Sequence, residues 1–372
     1  MHPKVPRRLL AALCATAMAA ALAACGDNVD PNETPTRDAS SIAGSFAGAG
    51  ASSQQSAVEA WIAGFQKKNP DAKISYNPSG SGAGVTTFLT GATVWAGSDR
   101  PLSDDQVKES TQVCAGKEAF DVPVYISPLA VVYHVEGLEG DTHIRMDVSV
   151  LARIFDGKIT NWNDRAIAAL NPDLKLPDLP ITVVHRSDKS GTTLNFVEYL
   201  KAAAPKEWKY ATEENWPNDV GQGAKGTSGV ISTIDQANGT IGYADFSQVG
   251  DLGTVDIKVG DSYTRISAEA ASLAVADSTL EEESAGSNRV VLDINHTTTT
   301  EGAYPIVLVS YDIACPVYAD ADTARFAKAF LGYVVSDDGQ EQAMRATGSA
   351  PLPDNIASLV QASVSKIAPE GE

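Results

Sequence analysis

Apolar residues recur along this chain with two different periods. Alternating or unbroken apolar runs, such as 181–185, predict strands, whereas spacings of three and four residues, as for Val58, Trp61 and Phe65 in 53–67, predict helices. The other predicted strands are 41–48, 73–76, 239–244 and 304–311. The other predicted helices are 84–89, 149–155, 191–203, 230–236, 267–276 and 323–335.

The order of these elements predicts the architecture. Strands that alternate with helices are typical of α/β domains with mostly parallel sheets. A longer β-rich run, 122–135, is expected where the chain crosses between domains. About 330 residues lie beyond the N-terminal region, which is enough for two α/β domains.

The N-terminal segment has the features of an export signal. Basic residues at Lys4, Arg7 and Arg8 precede an Ala-rich apolar stretch, 9–21, that is too short to span a bilayer. The LAACG sequence that follows resembles a bacterial lipobox, which implies cleavage before Cys25 and lipidation of its thiol, with palmitate as one acyl group. The alternative is an ordinary secretory signal in which Cys25 is incidental.

A polar linker follows the signal. Residues 26–39 contain two prolines and no apolar period, which is typical of a flexible tether. We therefore assign residues 1–24 to a signal peptide and residues 25–39 to a lipidated cysteine with its tether. No later stretch of the sequence is apolar for long enough to predict a transmembrane helix.

The chain is strongly acidic, with a formal net charge of −19 at pH 7. This balance argues against nucleic acid as a partner, because phosphate contacts in nucleic-acid complexes need basic patches. It also means that a bound anion must be held by local hydrogen bonds and dipoles, against the field of the whole molecule.

Beyond the signal and the lipidation candidate, Cys114 and Cys315 are the cysteines of the folded body. In an oxidising compartment two such cysteines can form a disulfide, and two separate buried thiols are the alternative. The five histidines are scattered, and no Cys/His spacing predicts a metal or cofactor site.

Three short polar segments contain the residue types that bind a tetrahedral oxyanion. The segments 79–84 (SGSGAG) and 186–193 (RSDKSGTT) lie where a predicted strand gives way to a predicted helix, and 97–101 (GSDRP) lies between them. At a helix start, free backbone N–H groups and the positive end of the helix dipole attract an anion. Glycine lets the anion approach the backbone, and hydroxyl groups donate further hydrogen bonds. The candidate donors are Ser81, Arg186, Ser190, Gly191 and Thr192.

Asp99, in the segment 97–101, predicts the identity of the anion. A carboxylate beside an anion site is unfavourable unless the ligand has a proton that the carboxylate can accept. Monohydrogen and dihydrogen phosphate have such a proton at neutral pH and sulfate does not, so Asp99 would favour phosphate. A surface Asp in a turn, or one that only orients Arg186, is the alternative.

An enzyme is the rival hypothesis. Residues 188–193 resemble the phosphorylated-aspartate motif of P-type ATPases, although the transmembrane helices of such pumps are not predicted here. A secreted phosphatase or phosphotransferase would use Ser190 or Asp188 as nucleophile and would need a general base or metals. His185 is close in sequence, but alternation along a strand points it away from Arg186.

The motifs together resemble those of the phosphate-binding lipoproteins of phosphate ABC transporters, over about residues 41–359. The matching motifs are GAGAS at 48–52, SGSGAG at 79–84, GSDRPLS at 97–103, IFDGKI at 154–159 with Asn161 and Trp162, RSDKSGT at 186–192, GTIGY at 239–243 and YPI at 304–306. Core packing is the expected role of Trp162 and Tyr304, and Asp156 with Gly157 is expected to end a helix.

The resemblance implies a type II periplasmic-binding fold, in which two α/β domains joined by crossing strands close over one phosphate. The implied first domain is 40–125 with 300–372, and the second is 126–299. The resemblance places Ser81 and Asp99 in the site from the first domain, and Arg186, Ser190, Gly191 and Thr192 from the second. Ser52 and Ser53 occupy a position where the family usually has Thr-Phe, so the donors there differ from the family pattern.

The function that the resemblance implies is delivery of inorganic phosphate to an ABC permease by a receptor without catalytic activity. The receptor would be held by its lipid on the extracytoplasmic face of the bacterial cell membrane. A phosphate-binding protein with a signalling or adhesion role remains a further alternative.

Overall fold

The structure is a computed structural model of the 372-residue chain, and it describes residues 42–138, 140, 142–281 and 287–371. The signal peptide, Cys25 and the tether predicted above lie outside the described residues. Residues 42–372 form one compact unit. The described part of the chain contains no helix that is both long and apolar enough to cross a bilayer.

Helices and strands alternate through most of the described chain. The helices are α1 (Gln55–Lys68), α2 (Ser81–Leu89), α3 (Asp104–Glu109), α4 (Val148–Phe155), α5 (Arg165–Leu170), α6 (Gly191–Ala203), α7 (Gly226–Asp235), α8 (Ala268–Ala276), α9 (Ala321–Val334), α10 (Asp337–Thr347) and α11 (Asp354–Ser365). The strands are β1 (Gly44–Gly50), β2 (Ala72–Asn77), β3 (Trp95–Ser98), β4 (Phe120–His134), β5 (Ile144–Met146), β6 (Thr182–Arg186), β7 (Gln222–Ala224), β8 (Thr240–Asp245), β9 (Gly253–Val259), β10 (Ser262–Thr264), β11 (Thr279–Leu280), β12 (Leu292–Asp293), β13 (Val307–Ala314), β14 (Val317–Tyr318) and β15 (Ala368–Pro369).

An 11-stranded sheet connects most of these strands, in the order β2-β1-β3-β13-β4-β8-β6-β7, with β9, β10 and β5 attached beside β4. We call the part built on β1, β2, β3 and β13 lobe 1, and the part built on β6, β7, β8 and β9 lobe 2. Strand β4 belongs to both lobes, because eight of its first nine residues pair with β13 and its last six pair with β8.

The sheet is mixed, which corrects the expectation of mostly parallel sheets. Strand β1 is parallel to β2 and β3, and β6 is parallel to β7 and β8. Strands β4 and β13 are antiparallel to each other. Strand β13 is also antiparallel to β3, and β4 is antiparallel to β8. The antiparallel ladders arise because the chain passes from lobe 1 to lobe 2 along β4 and returns along β13.

The apolar pattern explains the core. Residues 120–133 of β4 are all buried, as expected for a strand covered on both faces. In lobe 1, Phe46 stacks on Phe326 with 3.8 Å between ring centroids. In lobe 2, Phe196 stacks on Tyr243 at 4.5 Å. Each lobe therefore has its own aromatic cluster on one side of the shared strand.

Each predicted helix and strand is present, with boundaries that differ by a few residues. Helix α2 begins at Ser81, earlier than the predicted residue 84, because the Gly-rich start lacks an apolar period. The elements that the apolar pattern does not predict are the helices α3, α5, α10 and α11 and the strands β3, β5, β7, β9, β10, β11, β12, β14 and β15.

Three predictions about individual motifs are confirmed. Trp162 and Tyr304 are fully buried, and their polar atoms donate to the carbonyl oxygens of Gly239 and Leu129, so both belong to the core. Helix α4 ends at Asp156 and Gly157, where Gly157 has a left-handed φ of 66°.

A disulfide joins Cys114 to Cys315, with a Cα–Cα distance of 5.0 Å and a sequence separation of 201 residues. Cys114 follows α3, and Cys315 follows β13. The bond therefore ties the end of the returning strand to the early part of lobe 1.

Candidate functional site

The three polar segments meet where lobe 1 faces lobe 2. Ser81 is the first residue of α2, and its Oγ accepts a hydrogen bond from the backbone N–H of Asp99 at 3.1 Å. Asp99 follows β3 directly, and its Oδ2 accepts a hydrogen bond from Thr192 Oγ1 at 2.8 Å. Residues far apart in sequence thus form one buried cluster.

The start of α6 provides the donors of lobe 2. Ser190 is the N-cap, and its Oγ accepts from the backbone N–H of Thr193 at 3.2 Å. The first backbone N–H groups of a helix have no acceptor within the helix, so this end is suited to an anion. Ser190, Gly191 and Thr192 are all buried here.

Asp99 is the acceptor among these donors and is only 3% exposed. Its Oδ1 accepts from Ser53 Oγ at 2.8 Å and from Ser310 Oγ at 2.9 Å. Its Oδ2 accepts from Ser53 Oγ at 2.7 Å as well as from Thr192. Burial raises the pKa of Asp99 above its usual value, and the three hydroxyl donors and the charge of Arg186 oppose that rise.

Arg186 is the buried cation of the site, with 2% exposure. Its Nε and Nη2 donate to the two oxygens of Asp188 at 2.8 and 2.5 Å, and its Nη1 donates to Thr192 Oγ1 at 3.5 Å. Burial acts to raise the pKa of Asp188, but the hydrogen bonds and charge of Arg186 outweigh it and keep that pKa below its usual value. Asp188 therefore fixes the guanidinium plane beside the α6 start.

Ser52 is bound to lobe 2. Its Oγ accepts from the backbone N–H of Thr227 at 3.0 Å and lies 3.0 Å from Thr227 Oγ1. Its carbonyl oxygen accepts from Gln248 Nε2 at 3.0 Å. The structure thus places Ser52 on the boundary between the lobes and Ser53 directly on Asp99.

Further contacts close the boundary between the lobes. Asn195 Nδ2 donates to the carbonyl oxygen of Asp99 at 2.7 Å. Arg100 Nε and Glu214 Oε2 form an ion pair at 3.1 Å, and the carbonyl oxygen of Glu214 accepts from the Ser190 N–H at 3.0 Å. A cleft of about 910 Å³ borders Asp99, Arg100 and Asn195 on this side of the site.

The residues named by the rival hypothesis have other partners. His185 stacks on Trp216 with 4.9 Å between ring centroids, and its Nδ1 lies 2.9 Å from the Arg186 carbonyl oxygen. Burial lowers the pKa of His185 despite that hydrogen bond. Asp188 pairs with Arg186, and Ser190 Oγ caps α6. Asp188 and Ser190 are thus already engaged in contacts within lobe 2.

Sequence reasoning missed several members of the cluster. Ser310 lies in a buried apolar strand whose other polar residue is Asp312, and polar residues in such a strand were the available signal. Thr227 lies in GTSG at 226–229, which has the same Gly and hydroxyl pattern as the three segments. Asn195 and Glu214 have no local signal. Within the described residues, no group of three or more His, Cys, Asp and Glu side chains has metal-binding geometry.

Comparison with known sequences identifies the relatives of this chain. A family model described as a PBP superfamily domain matches residues 34–338. The chain is 35% identical over 325 residues to Phosphate-binding protein PstS 2 of Mycobacterium tuberculosis (strain ATCC 25618 / H37Rv), and the match covers 85% of each chain. It is 34% identical over 324 residues to Phosphate-binding protein PstS 3 of Mycobacterium leprae (strain TN), with 86% of this chain and 85% of the relative covered.

Comparison with solved structures identifies the fold. A high-affinity periplasmic phosphate-binding protein (PfluDING) bound with phosphate superposes with a TM-score of 0.69 at 20% identity, over 86% of this chain and 93% of that one. A human phosphate-binding apolipoprotein superposes with a TM-score of 0.68 at 20% identity, over 85% and 93%. The predicted fold class, a two-lobed α/β periplasmic-binding fold, is confirmed.

Proposed function

The chain belongs to the family of PstS phosphate-binding proteins within the PBP superfamily, and on that premise we propose that it captures inorganic phosphate for an ABC permease. One observation carries the proposal: the buried carboxylate of Asp99 lies among hydroxyl, backbone N–H and guanidinium donors contributed by both lobes. Such a set matches a tetrahedral oxyanion that has both unprotonated oxygens and a proton to donate.

Both lobes provide ligands for the phosphate. Lobe 1 contributes hydroxyl groups and the acceptor, and lobe 2 contributes the guanidinium and the α6 start. The proposed ligands are Ser52, Ser53, Ser81, Asp99, Arg186, Ser190, Gly191 and Thr192. The ligand replaces its hydration shell with these fixed groups when the lobes close around it.

Asp99 gives the site its selectivity. An ionised carboxylate accepts the proton of monohydrogen or dihydrogen phosphate, whereas against sulfate two acceptors face each other without a proton between them. In a buried site this loss is large, because no water compensates for it. The overall negative charge of the chain makes these local contacts decisive for affinity.

We propose that the chain binds phosphate without transforming it. The support is local: the candidate nucleophile Asp188 is paired with Arg186, and Ser190 Oγ is used as a helix cap. Incubation of metal-loaded protein with p-nitrophenyl phosphate tests this point, and we expect no release of p-nitrophenol above the buffer rate.

The lipid anchor and the domain boundaries are further parts of the proposal. A signal at 1–24 and a lipidated Cys25 would hold the protein on the extracytoplasmic face of the membrane through the tether 25–39. The two domains would be 40–125 with 300–372, and 126–299. Replacing Cys25 by Ser should move the protein from the membrane fraction to the soluble exported fraction.

A calorimetric titration tests the binding function. We expect the mature protein (residues 26–372), stripped of ligand, to bind one phosphate tightly and to give no heat with sulfate at pH 7.5. Binding of sulfate without phosphate would contradict the ligand, and binding of neither anion would contradict the receptor function.

The Asp99→Asn variant tests the acceptor. Asn presents an amide that can donate to sulfate, so we expect phosphate affinity to fall by about 10- to 100-fold and sulfate binding to appear. The matched control is Asp105→Asn, because Asp105 is an exposed residue of α3 in the same lobe. An Asp99→Asn protein that still rejects sulfate as the parent does would contradict the acceptor role.

A further inference from the structure

The Asp99 carboxylate has more hydroxyl partners than the sequence motifs supply. Three side chains donate to it: Ser53 from the β1–α1 connection, Ser310 from β13 and Thr192 from α6. All three are fully or almost fully buried. Ser310 lies 211 positions from Asp99 in sequence.

These donors differ in the lobe to which they belong. Thr192 belongs to lobe 2, so its contact with Asp99 exists only while the lobes are closed. Ser53 and Ser310 belong to lobe 1 together with Asp99. Strand β13 pairs with β3 so that Tyr311 is opposite Ser98, which sets Ser310 beside Asp99 within one sheet. Their contacts with Asp99 therefore do not require closure.

We propose that Ser53 and Ser310 are specificity-determining residues, whose hydroxyl groups keep the Asp99 carboxylate ionised and oriented as an acceptor before a ligand arrives. The inference rests on the proposed function, because it concerns how the same site distinguishes phosphate from sulfate. It adds two residues to those that decide this choice.

Counting acceptor positions supports the proposal. An ionised carboxylate offers about four lone-pair positions to donors. Ser53, Ser310 and Thr192 supply one proton each, and Ser53 shares its proton between both oxygens. Together these contacts occupy two positions on each oxygen, so a proton of the ligand is accepted where Ser53 gives up one of its two contacts. The arrangement holds the carboxylate firmly and leaves it able to accept from phosphate.

The protonation state of Asp99 decides what the site accepts. An ionised Asp99 rejects sulfate, but a neutral Asp99 has an O–H that donates to sulfate as well as it would to phosphate. Burial favours the neutral form, and hydrogen bonds to the charged form oppose it. Removing the hydroxyl of Ser53 or Ser310 therefore favours the neutral form of Asp99, which does not discriminate between sulfate and phosphate.

Other ionisable groups also face this carboxylate, and they determine the controls. Arg186 at the end of β6 attracts the negative charge, whereas Asp245 at the end of β8 repels it. Asp99 also raises the pKa of Tyr76 on β2. The other charged side chains in this region are Asp188, paired with Arg186; Asp312, hydrogen-bonded to Gln54; and Arg100, paired with Glu214.

Sulfate binding measured against pH provides the test, because sulfate does not change its charge between about pH 5 and 8 and the pH dependence then belongs to the protein. We expect the parent to bind sulfate only towards the acid end of this range. In Ser53→Ala and in Ser310→Ala, the midpoint should move upward by about one pH unit. Phosphate affinity at pH 7.5 should fall by about tenfold in each variant.

Matched variants separate this role from a structural one. Ser53→Thr keeps the hydroxyl and should keep the parent midpoint. In an Asp99→Asn background, Ser53→Ala and Ser310→Ala should no longer move the midpoint of sulfate binding. Asp245→Asn measures the contribution of the neighbouring acid. A merely structural defect would weaken phosphate and sulfate binding together without moving the midpoint, and that result in both alanine variants would overturn the proposal.

A ligand-independent measurement makes failure of this inference distinguishable from failure of the proposed function. Carboxyl ¹³C NMR of ligand-free protein reports the ionisation of Asp99 directly, and the resonance is assigned by its absence in Asp99→Asn. We expect Asp99 to titrate at higher pH in Ser53→Ala and Ser310→Ala than in the parent. If the parent binds no anion, this titration still decides the matter, and an unmoved Asp99 resonance in both variants would overturn the inference.

Discussion

At the scale of single residues, the site depends on very close approach between the lobes. Gly191 is the clearest case. A Cβ on Gly191 would lie 2.6 Å from Asp99 Cβ and 2.9 Å from Ser81 Oγ, both of which belong to the other lobe. Its φ is not in the left-handed region, so space rather than backbone conformation requires glycine. Because Gly191 has no side chain, the start of α6 can approach Asp99 closely.

Gly191→Ala should therefore impair closure without damaging either lobe. The added methyl overpacks the closed interface, and we expect phosphate affinity to fall by about 10- to 100-fold. The melting temperature of the ligand-free protein should change little. Gly229→Ala in α7 is the control, because a Cβ there meets its nearest neighbours at 3.8 Å, an ordinary contact. Unchanged affinity in Gly191→Ala would show that the lobes need not approach so closely.

At the scale of elements, β13 holds the turn before α1 through a second buried acid. Asp312 lies on β13 and is 1% exposed. Its Oδ1 accepts from Nε2 of Gln54, the residue just before α1, at 3.1 Å. Burial raises the pKa of Asp312 to about 7, although the Gln54 hydrogen bond opposes this. One strand thus provides Ser310 for Asp99 and Asp312 for the turn that presents Ser53.

The raised pKa makes the stability of the ligand-free protein depend on pH. Between about pH 4 and 7 the native state holds a proton on Asp312 that the unfolded state has lost, so stability falls as pH rises through this window. Asp312→Asn keeps an acceptor for Gln54 and stays neutral. We expect it to exceed the parent in stability by about 4 kcal/mol at pH 8 and to match it near pH 4.

Urea unfolding from pH 4 to 8 measures this difference. Asp245 and Glu198 also have raised pKa values, about 6 and about 7. Because both residues are present in the parent and in Asp312→Asn, their contributions to the pH dependence of stability cancel in the comparison. Asp105→Asn, at an exposed position, serves as the control. Parallel pH profiles for the parent and Asp312→Asn would contradict the prediction.

At the scale of the whole molecule, the two lobes share β4 and are held together by polar contacts at the site boundary. The ion pair between Arg100 and Glu214 is the charged member of this set, with side chains 16% and 15% exposed. Glu214 also accepts from the Ser190 N–H through its carbonyl oxygen. Glu214 thus links the segment after Asp99 to the start of α6. We therefore expect it to affect the rate at which the ligand is released.

Breaking this ion pair should accelerate phosphate release. Both charges are largely shielded from water, so their attraction exceeds that of an exposed pair. We expect Glu214→Gln and Arg100→Ala each to raise the dissociation rate by about three- to tenfold, measured by stopped-flow fluorescence. The dissociation rate of the double variant should be only slightly higher than that of either single variant.

Lys68→Ala is the control for this cycle, because Lys68 pairs with Asp338 within lobe 1 and both side chains are about 70% exposed. We expect it to leave the release rate unchanged. Fully additive effects of Glu214→Gln and Arg100→Ala would show that the two side chains act independently.

The sequence by itself determined many of the elements and the local parts of the site. Helical spacing around Trp61 and the apolar run that forms β4 depend only on neighbouring residues, so they are readable from the chain. The same holds for the helix start at Ser190, because an N-cap is a local feature. The chemistry of its neighbours also predicts Asp99 as the acceptor of the site.

Tertiary structure alone decided which distant residues complete the site. Ser310 reaches Asp99 because β13 returns beside β3, and Glu214 reaches Arg100 because the lobes meet there. The sheet is mixed for the same reason, since β4 and β13 run between the lobes in opposite directions. Such contacts depend on the path of the whole chain, which no local pattern of residue types encodes.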